Sequence, residues 1–271
     1  MSEQPMTETN SISSTVDVAV DPATAFKVFI EEVHCWWLQG PINFHDSTRA
    51  YEMHIEPRLG GRVLEVYDLN ACDGLELATI PDWQPGERVA WQSSIDDVLT
   101  EVLFEPNGAG TRVTVTATIN GEDRGSTAWV RVTPTWLARW IDRREHTAHE
   151  PIQMAKLALA VHYDDPVAAA HWLRDTFDFS LASHVPVEFT DHTWIEFHIG
   201  NASLILFGQS GRSSGVTHTP WIFVDDLDAQ YTRLKERGAE IVEEPIHQGV
   251  RWFTAKDLGG HQWTFAQASP R

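Results

Sequence analysis

Cysteine, basic residues and long apolar runs are all scarce in this chain, and each scarcity removes a class of answer. Only Cys35 and Cys72 occur among 271 residues, too few and too unpatterned for a disulfide framework or a thiolate metal site. Cys35, beside Trp36 and Trp37, reads as a packing residue. Lysine and arginine number 20 against 39 aspartates and glutamates, a formal net charge of -19. Such a field repels phosphate backbones and anionic lipid heads, so nucleic acid and membrane surfaces are not expected partners. A neutral or cationic ligand is favoured instead. No apolar run approaches the ~18 residues needed to span a bilayer. The start MSEQPMTETNSIS lacks the basic beginning and apolar core of a secretory signal, so a cytoplasmic location is expected.

What the chain does contain is tryptophan, twelve of them, and enough apolar residues (42% with the aromatics) for two cores of ordinary size. The first half opens on STVDVAV, which alternates as a half-buried strand does. DPATAFKVFIEEVHCWWL follows, with Asp21 placed to cap, Pro22 at the first helical position, and Ala25, Phe26, Phe29, Ile30, Val33 and Trp37 at helical spacing. Short strand-like runs come next, AYEMHIEP, GGRVLEVYD, LELATI, ERVAWQSS, TEVLFEP and TRVTVTATI, which predict an antiparallel meander. TPTWLARWIDRREH closes the half, with Thr133 and Pro134 suited to a helix start and an apolar stripe of Trp136, Leu137, Trp140 and Ile141. The expected helix covers 134–146. Inward strand positions, among them Tyr51, Met53, Ile55, Leu64, Val66, Val89, Trp91, Val102, Phe104, Val113 and Val115, would line a space between sheet and helix.

In the order VDVAVDPATAFKVFIEEVHCWW, IEPRLGGRV, WQPGERVAWQ, EVLFEPNGAGTRVTVT, residues 11–146 resemble the START-like, or SRPBCC, helix-grip superfamily in its subgroup related to heat-shock-ATPase activators. That resemblance implies a cavity fold without a shared catalytic residue set. Candidate ligand contacts there are Tyr51, Met53, Trp91, Phe104, Trp136 and Trp140, and ordinary core packing is the alternative reading of the same side chains. Buried indoles need a partner for the N–H, which favours an amphipathic guest.

After a connector at 147–153 a pattern occurs twice. AKLALAVHYDDPVAAAHWLRDTFDF, VPVEFTD, TWIEFHIG and ASLILFG are matched by TPWIFVDDLDAQYTRLKERGAEI, VEEPIHQ, VRWFTAKD and HQWTFAQ. Each copy reads as strand, capped helix and three strands, with Asp165 capping the first helix, Asp225 or Asp226 the second, and Gly238 stopping the second. Residues 154–271 resemble the vicinal-oxygen-chelate superfamily of glyoxalases, extradiol dioxygenases and bleomycin-resistance proteins. The expected fold class is therefore α+β in two domains: a helix-grip antiparallel sheet with a long C-terminal helix, then a paired βαβββ module. Residues 1–10 are expected to be a disordered start.

Metal-dependent members of that superfamily place four ligands on the first and last strands of the two copies. By position these fall on Ala158, near Leu206, on Thr219 and on Thr264, and none is a competent ligand. His261 and His218 lie three and one residues from ligand places, an odd offset that turns a strand side chain to the other face. His261 is expected to anchor the DLGG turn instead, and no metal or other cofactor is expected. The remaining metal alternative is a site from His162, Glu196 and His198, of which the last two share a strand face. The concave wall is read as Ala158, Ala160, His162, Trp194, Glu196, His198, Thr219, Trp221 and Phe223. The resemblance then implies non-catalytic binding or sequestration of a hydrophobic or cationic small molecule, an antibiotic among the candidates, in a homodimer through the second domain. Two alternatives stay open: a metal-independent cyclase, isomerase or lyase using Glu196 with His198, Asp82 or Glu101, and a chaperone-related or regulatory interaction protein.

Overall fold

The protein is described here by a computed structural model covering residues 10–177, 179–182, 185–188, 190, 193–208, 218–256 and 262–268. The chain divides into two compact units, the first holding residues up to Trp37 and Tyr51–Pro151, the second holding Leu38–Ala50 and everything from Ile152. The segment 38–50, which the sequence reading placed in the first domain, thus groups with the second unit. Residues 1–9 lie outside the described residues, and Asn10 already belongs to a strand.

The first unit is a seven-stranded antiparallel sheet in the order β1-β7-β6-β5-β4-β3-β2. Its strands are β1 (Asn10–Val18), β2 (Glu52–Ile55), β3 (Arg62–Asp68), β4 (Asp73–Gln84), β5 (Arg88–Ser93), β6 (Val98–Asn107) and β7 (Gly110–Ile119). Helix α1 (Pro22–Glu31) begins as its sequence requires, with Asp21 accepting from the Thr24 amide at 3.1 Å and proline at the first position. A short helix α2 (Val33–Trp36) follows, and the long helix α3 (Ala128–Arg143) packs on β1 and β7.

Two sequence expectations change here. Helix α3 begins six residues before Pro134, so the proline sits inside it. An interior proline removes the N–H that would bond the carbonyl four residues back, and the Ser14 hydroxyl of β1 donates to that carbonyl, Val130 O. A neighbouring strand has taken over the bond the proline gave up. On β3, Val63 and Glu65 are fully buried while Leu64 is only half-buried, because Val63 and Glu65 stand beside the buried Ile55 and Met53 of β2 and Leu64 stands beside the exposed His54. Tyr51, placed inward by alternation, precedes β2 and is 49% exposed.

The second unit is one eight-stranded sheet, β13-β14-β15-β12-β8-β11-β10-β9. Its strands are β8 (Leu157–Tyr163), β9 (Ser180–Leu181), β10 (Ile195–Ile199), β11 (Ala202–Gly208), β12 (His218–Val224), β13 (Glu240–Gln248), β14 (Val250–Lys256) and β15 (Gln262–Gln267). The duplication in the sequence appears as symmetry in the sheet. Strand β8 runs parallel to β11 and β12 parallel to β15, while β8 and β12 meet antiparallel at the centre. Helix α4 (Pro166–Phe177) opens on Asp165, which accepts from the Ala168 amide at 2.9 Å, and helix α5 (Leu227–Glu236) is capped by Asp226, which accepts from Ala229 at 2.8 Å. Gly238, at φ 78°, stops it as expected. The run VPVEFTD forms no strand among its described residues; the short β9 stands in that place in the order.

Both helices cover the same face of this sheet. Ala170 and Leu173 of α4 pack with Ile195, Phe197, Leu204 and Leu206, and Leu227 of α5 packs with Phe253 and Ala255. Since strand side chains alternate, the residues between them must face the other way. No helix among the described residues is long and apolar enough to cross a membrane.

Candidate functional site

The helix-free face of the second unit gathers Ala158 and Ala160 of β8, Ile205 and Phe207 of β11, Trp221 and Phe223 of β12, Trp252 of β14, Ala266 of β15, and Trp194 just before β10. Register explains the meeting. Ala158 stands opposite Trp221 across β8 and β12, Trp221 stands beside Thr264 of β15, and Phe207 stands beside His162. Small residues on β8 and β15 thus flank the largest ring on β12, and the aromatic side chains close around that ring. Phe207 stacks on Trp221 with centroids 5.5 Å apart, Trp194 meets Trp221 edge-on at 5.6 Å, and Trp252 lies tilted at 5.8 Å. Trp221 is only 3% exposed.

The segment 38–50 adds a further contact. Gln39 bridges Gln153, with its amide donating to Ile152 O and its carbonyl accepting from Met154, both at 2.8 Å. Asn43 Nδ2 donates to Leu38 O at 3.2 Å, curling the segment, and Ile42 packs against the Ala158–Trp221 cluster. Sequence pattern had no means of finding this wall, since it lies more than a hundred residues from the strands it touches.

At one end of the face, Trp194 Nε1 donates to Glu196 Oε2 at 2.7 Å, and His198 Nε2 stands 3.3 Å from Glu196 Oε1. Burial pushes the Glu196 carboxyl up, but the hydrogen bond and charge of His198, with donors from Ser203 and Trp194, outweigh it and hold the group below its ordinary value. The pair is a carboxylate and an imidazole in mutual reach beside an aromatic wall. His162 is buried on β8 and stacks on Phe207 at 5.8 Å. Strand β11 separates it from Glu196, and no group of three His, Cys, Asp or Glu able to hold a metal occurs among the described residues. The three-residue alternative site is therefore not assembled.

The four places implied for a superfamily metal fare as follows. Ala158, Thr219 and Thr264 are buried, the first two on β8 and β12, the last on β15. Leu206 packs with α4 and so faces away; Ile205 and Phe207 hold the equivalent positions on β11. Thr264 Oγ1 lies 3.2 Å from Thr254 Oγ1, which donates to Glu243 at 2.6 Å. An alanine, two threonines and an isoleucine or phenylalanine offer a divalent cation no set of anionic or imidazole donors, so these residues do not fit the superfamily's metal. His261 and the DLGG turn lie outside the described residues.

The first unit's candidates form a different environment. Met53, Trp91, Phe104, Trp136 and Trp140 are each 5% exposed or less. Trp91 packs on Trp129 and Phe29, Phe104 on Phe26 and Phe29, and Trp136 on Trp37. Two indole donors are satisfied inside the fold, Trp36 to Phe29 O at 3.3 Å and Trp140 to Glu32 at 2.7 Å. Trp91, Phe104 and Trp136 thus belong to one buried aromatic cluster with Phe26, Phe29, Trp37 and Trp129. Asp82 and Glu101 both pair with Arg88, Asp82 at 3.0 Å, an ion triad that occupies both proposed acid–base carboxylates.

The duplicated second half agrees with an independent match. Residues 154–265 match the model of the Glyoxalase/Bleomycin resistance protein/Dioxygenase superfamily. Solved structures similar to part of the chain include a superfamily member from Vibrio splendidus 12B01, at 16% identity over 41% of this chain and 97% of that one, TM-score 0.33. TioX from Micromonospora sp. ML1 gives 24% identity over 42% and 98%, TM-score 0.19. Methylmalonyl-CoA epimerase from Mycobacterium tuberculosis gives 20% identity over 42% and 87%, TM-score 0.34. Among curated proteins no match was found.

Proposed function

We propose that the second unit binds a flat, hydrophobic or cationic small molecule on its aromatic face and holds it without chemical change, an antibiotic being one candidate since the matched superfamily includes bleomycin resistance proteins. The observation that carries the reading is the single-faced set Trp194, Phe207, Trp221 and Trp252 over Ala158 and Ala160, on a face whose ligand places hold Ala158, Thr219 and Thr264. Ring stacking contributes ~0.5 to 1.5 kcal/mol beyond area burial, and Glu196, ionised beside Trp194, favours a positive charge at one end.

The test is calorimetric titration of a panel of hydrophobic and cationic aromatic compounds into the full chain and into Trp221→Ala. Saturable binding that the substitution weakens by ~1 to 3 kcal/mol is the expected result. Binding indifferent to the substitution, or conversion of a compound detected by mass, overturns it. Conversion would favour the second reading, a metal-independent enzyme using the Glu196–His198 pair, for which the 3.3 Å contact speaks.

For the first unit, a START-like helix-grip fold is the reading favoured by its element order and by α3 against β1 and β7. A regulatory or chaperone-related role rests on that resemblance alone; the homodimer rests on the second unit's resemblance to the vicinal-oxygen-chelate superfamily, and light scattering at micromolar concentration tests it. A cytoplasmic site remains part of the proposal.

A further inference from the structure

We infer that the indole N–H of Trp221 is the hydrogen-bond donor to the ligand of this face, so that the ligand class is a planar fused aromatic bearing a neutral acceptor, such as a ring carbonyl, at its edge. This rests on the binding reading above and adds an atom-level requirement to it.

Other indoles of the chain show what the fold ordinarily does with this group. Trp36 donates to a backbone carbonyl at 3.3 Å, Trp140 to Glu32 at 2.7 Å, and Trp194 to Glu196 at 2.7 Å. Trp221 is 3% exposed, yet its Nε1 has no hydrogen-bond partner among the described residues. A buried donor without an acceptor is a rare and unfavourable condition. The surroundings account for it. Opposite on β8 stands Ala158, which brings no polar atom, and around the ring are Phe207, Trp194 and Trp252. Thr264, beside it on β15, has its hydroxyl 3.2 Å from that of Thr254.

The chemistry of the missing partner follows. Indole nitrogen donates and never accepts, so whatever completes it must carry a lone pair. The neighbours are ring faces and edges, which fit an aromatic plane and exclude a hydrated polar chain. An acceptor on the rim of a flat ring system meets both conditions, whatever charge the molecule carries elsewhere. Glu196, the nearby carboxylate, already receives Trp194 and is not the acceptor for Trp221.

Fluorenone and fluorene, the same planar tricycle with and without a carbonyl, separate this inference from the one beneath it. Both are titrated by equilibrium dialysis into the full chain, into Trp221→Phe, which keeps a ring and loses the N–H, and into Trp221→His, which keeps a ring N–H. The unaltered protein is expected to prefer fluorenone by about tenfold, the scale of one hydrogen bond. Trp221→Phe should lose that preference while still binding fluorene, and Trp221→His should restore part of it. In chain labelled with ¹⁵N-tryptophan, one indole proton should move downfield with fluorenone and stay with fluorene, a readout that holds even if a variant fails to fold. Equal binding of the two tricycles, or an equal indole shift, overturns the donor role and leaves the aromatic face standing as a binding site. If neither compound binds, the binding reading falls for planar tricycles and this inference falls with it.

Discussion

Phe207 of β11 lies stacked on Trp221 of β12, centroids 5.5 Å apart and planes 26° from parallel, with β8 running between their strands. The two rings touch across an intervening strand because that strand contributes alanines, Ala158 and Ala160, on the shared face. Replacing Phe207 with leucine keeps the volume roughly and removes the stacked plane. We expect a loss of stability under about 1.5 kcal/mol with a clear fall in near-ultraviolet circular dichroism, as the Trp221 indole loses its fixed neighbour. An unchanged spectrum would mean that Trp221 is held by Trp194 and Trp252 alone.

Ile42 gives a second prediction. It reaches the cluster from the segment tied down by the Gln39 pairing with Ile152 and Met154. Ile42→Ala removes a half-buried side chain and should destabilise the second unit by about 1 to 2 kcal/mol, less than a full core truncation. Hydrogen exchange read by mass spectrometry should quicken in peptides from β8 and β12 and stay unchanged in β5 and β6. Quickening confined to 38–50 would show that the segment rests on the face without supporting it.

Much of this fold was legible because its signals are local. Asp21-Pro22 and Asp165-Pro166 announce their helices through caps that form as expected, and the repeat of strand, helix and strands announces the symmetric sheet. What failed was non-local. Pro134 reads as a helix start unless one knows that Ser14, from the first strand, will bond the carbonyl it abandons. Leu206 reads as a wall residue unless the register with α4 is known, and one residue of slip moves it to the other face. Ile42 could not be placed at all, because nothing in its own neighbourhood specifies the partner. The aromatic wall was named in part: Trp194, Trp221, Phe223 and Ala160 fall on the face, while Phe207, Trp252 and Ile42 were missed.

Glu32 provides a pH-dependent prediction in the first unit. Arg144 donates to both of its oxygens and Trp140 Nε1 to one at 2.7 Å. Burial pushes the carboxyl up, but those donors and the Arg144 charge outweigh it and hold the value lowered. A carboxyl depressed by folding contributes stability above its unfolded value near 4.3, and that contribution disappears as pH falls through the lower folded value. Glu32→Gln should therefore cost about 2 kcal/mol at neutral pH and flatten the acid limb of the stability profile. Parallel profiles for the two proteins, measured by urea unfolding between pH 2 and pH 7, would remove Glu32 from the account.

The last prediction concerns metal. Ala158, Thr219 and Thr264, with Ile205 or Phe207 on β11, hold the places from which metal-dependent relatives would supply ligands. A divalent cation held by side chains needs several imidazole or carboxylate donors at ~2.0 to 2.6 Å, and a cation that binds only the folded state raises its melting temperature by mass action. Purified chain should then carry less than one equivalent of zinc, iron, manganese or nickel by elemental analysis, and excess chelator should leave its melting temperature and its affinity for an aromatic ligand unchanged. One tightly held metal per chain in the parent, released by His218→Ala or His261→Ala, would show that the strand register assigned to the ligand places is wrong and would return the second unit to the metal-dependent members of the superfamily.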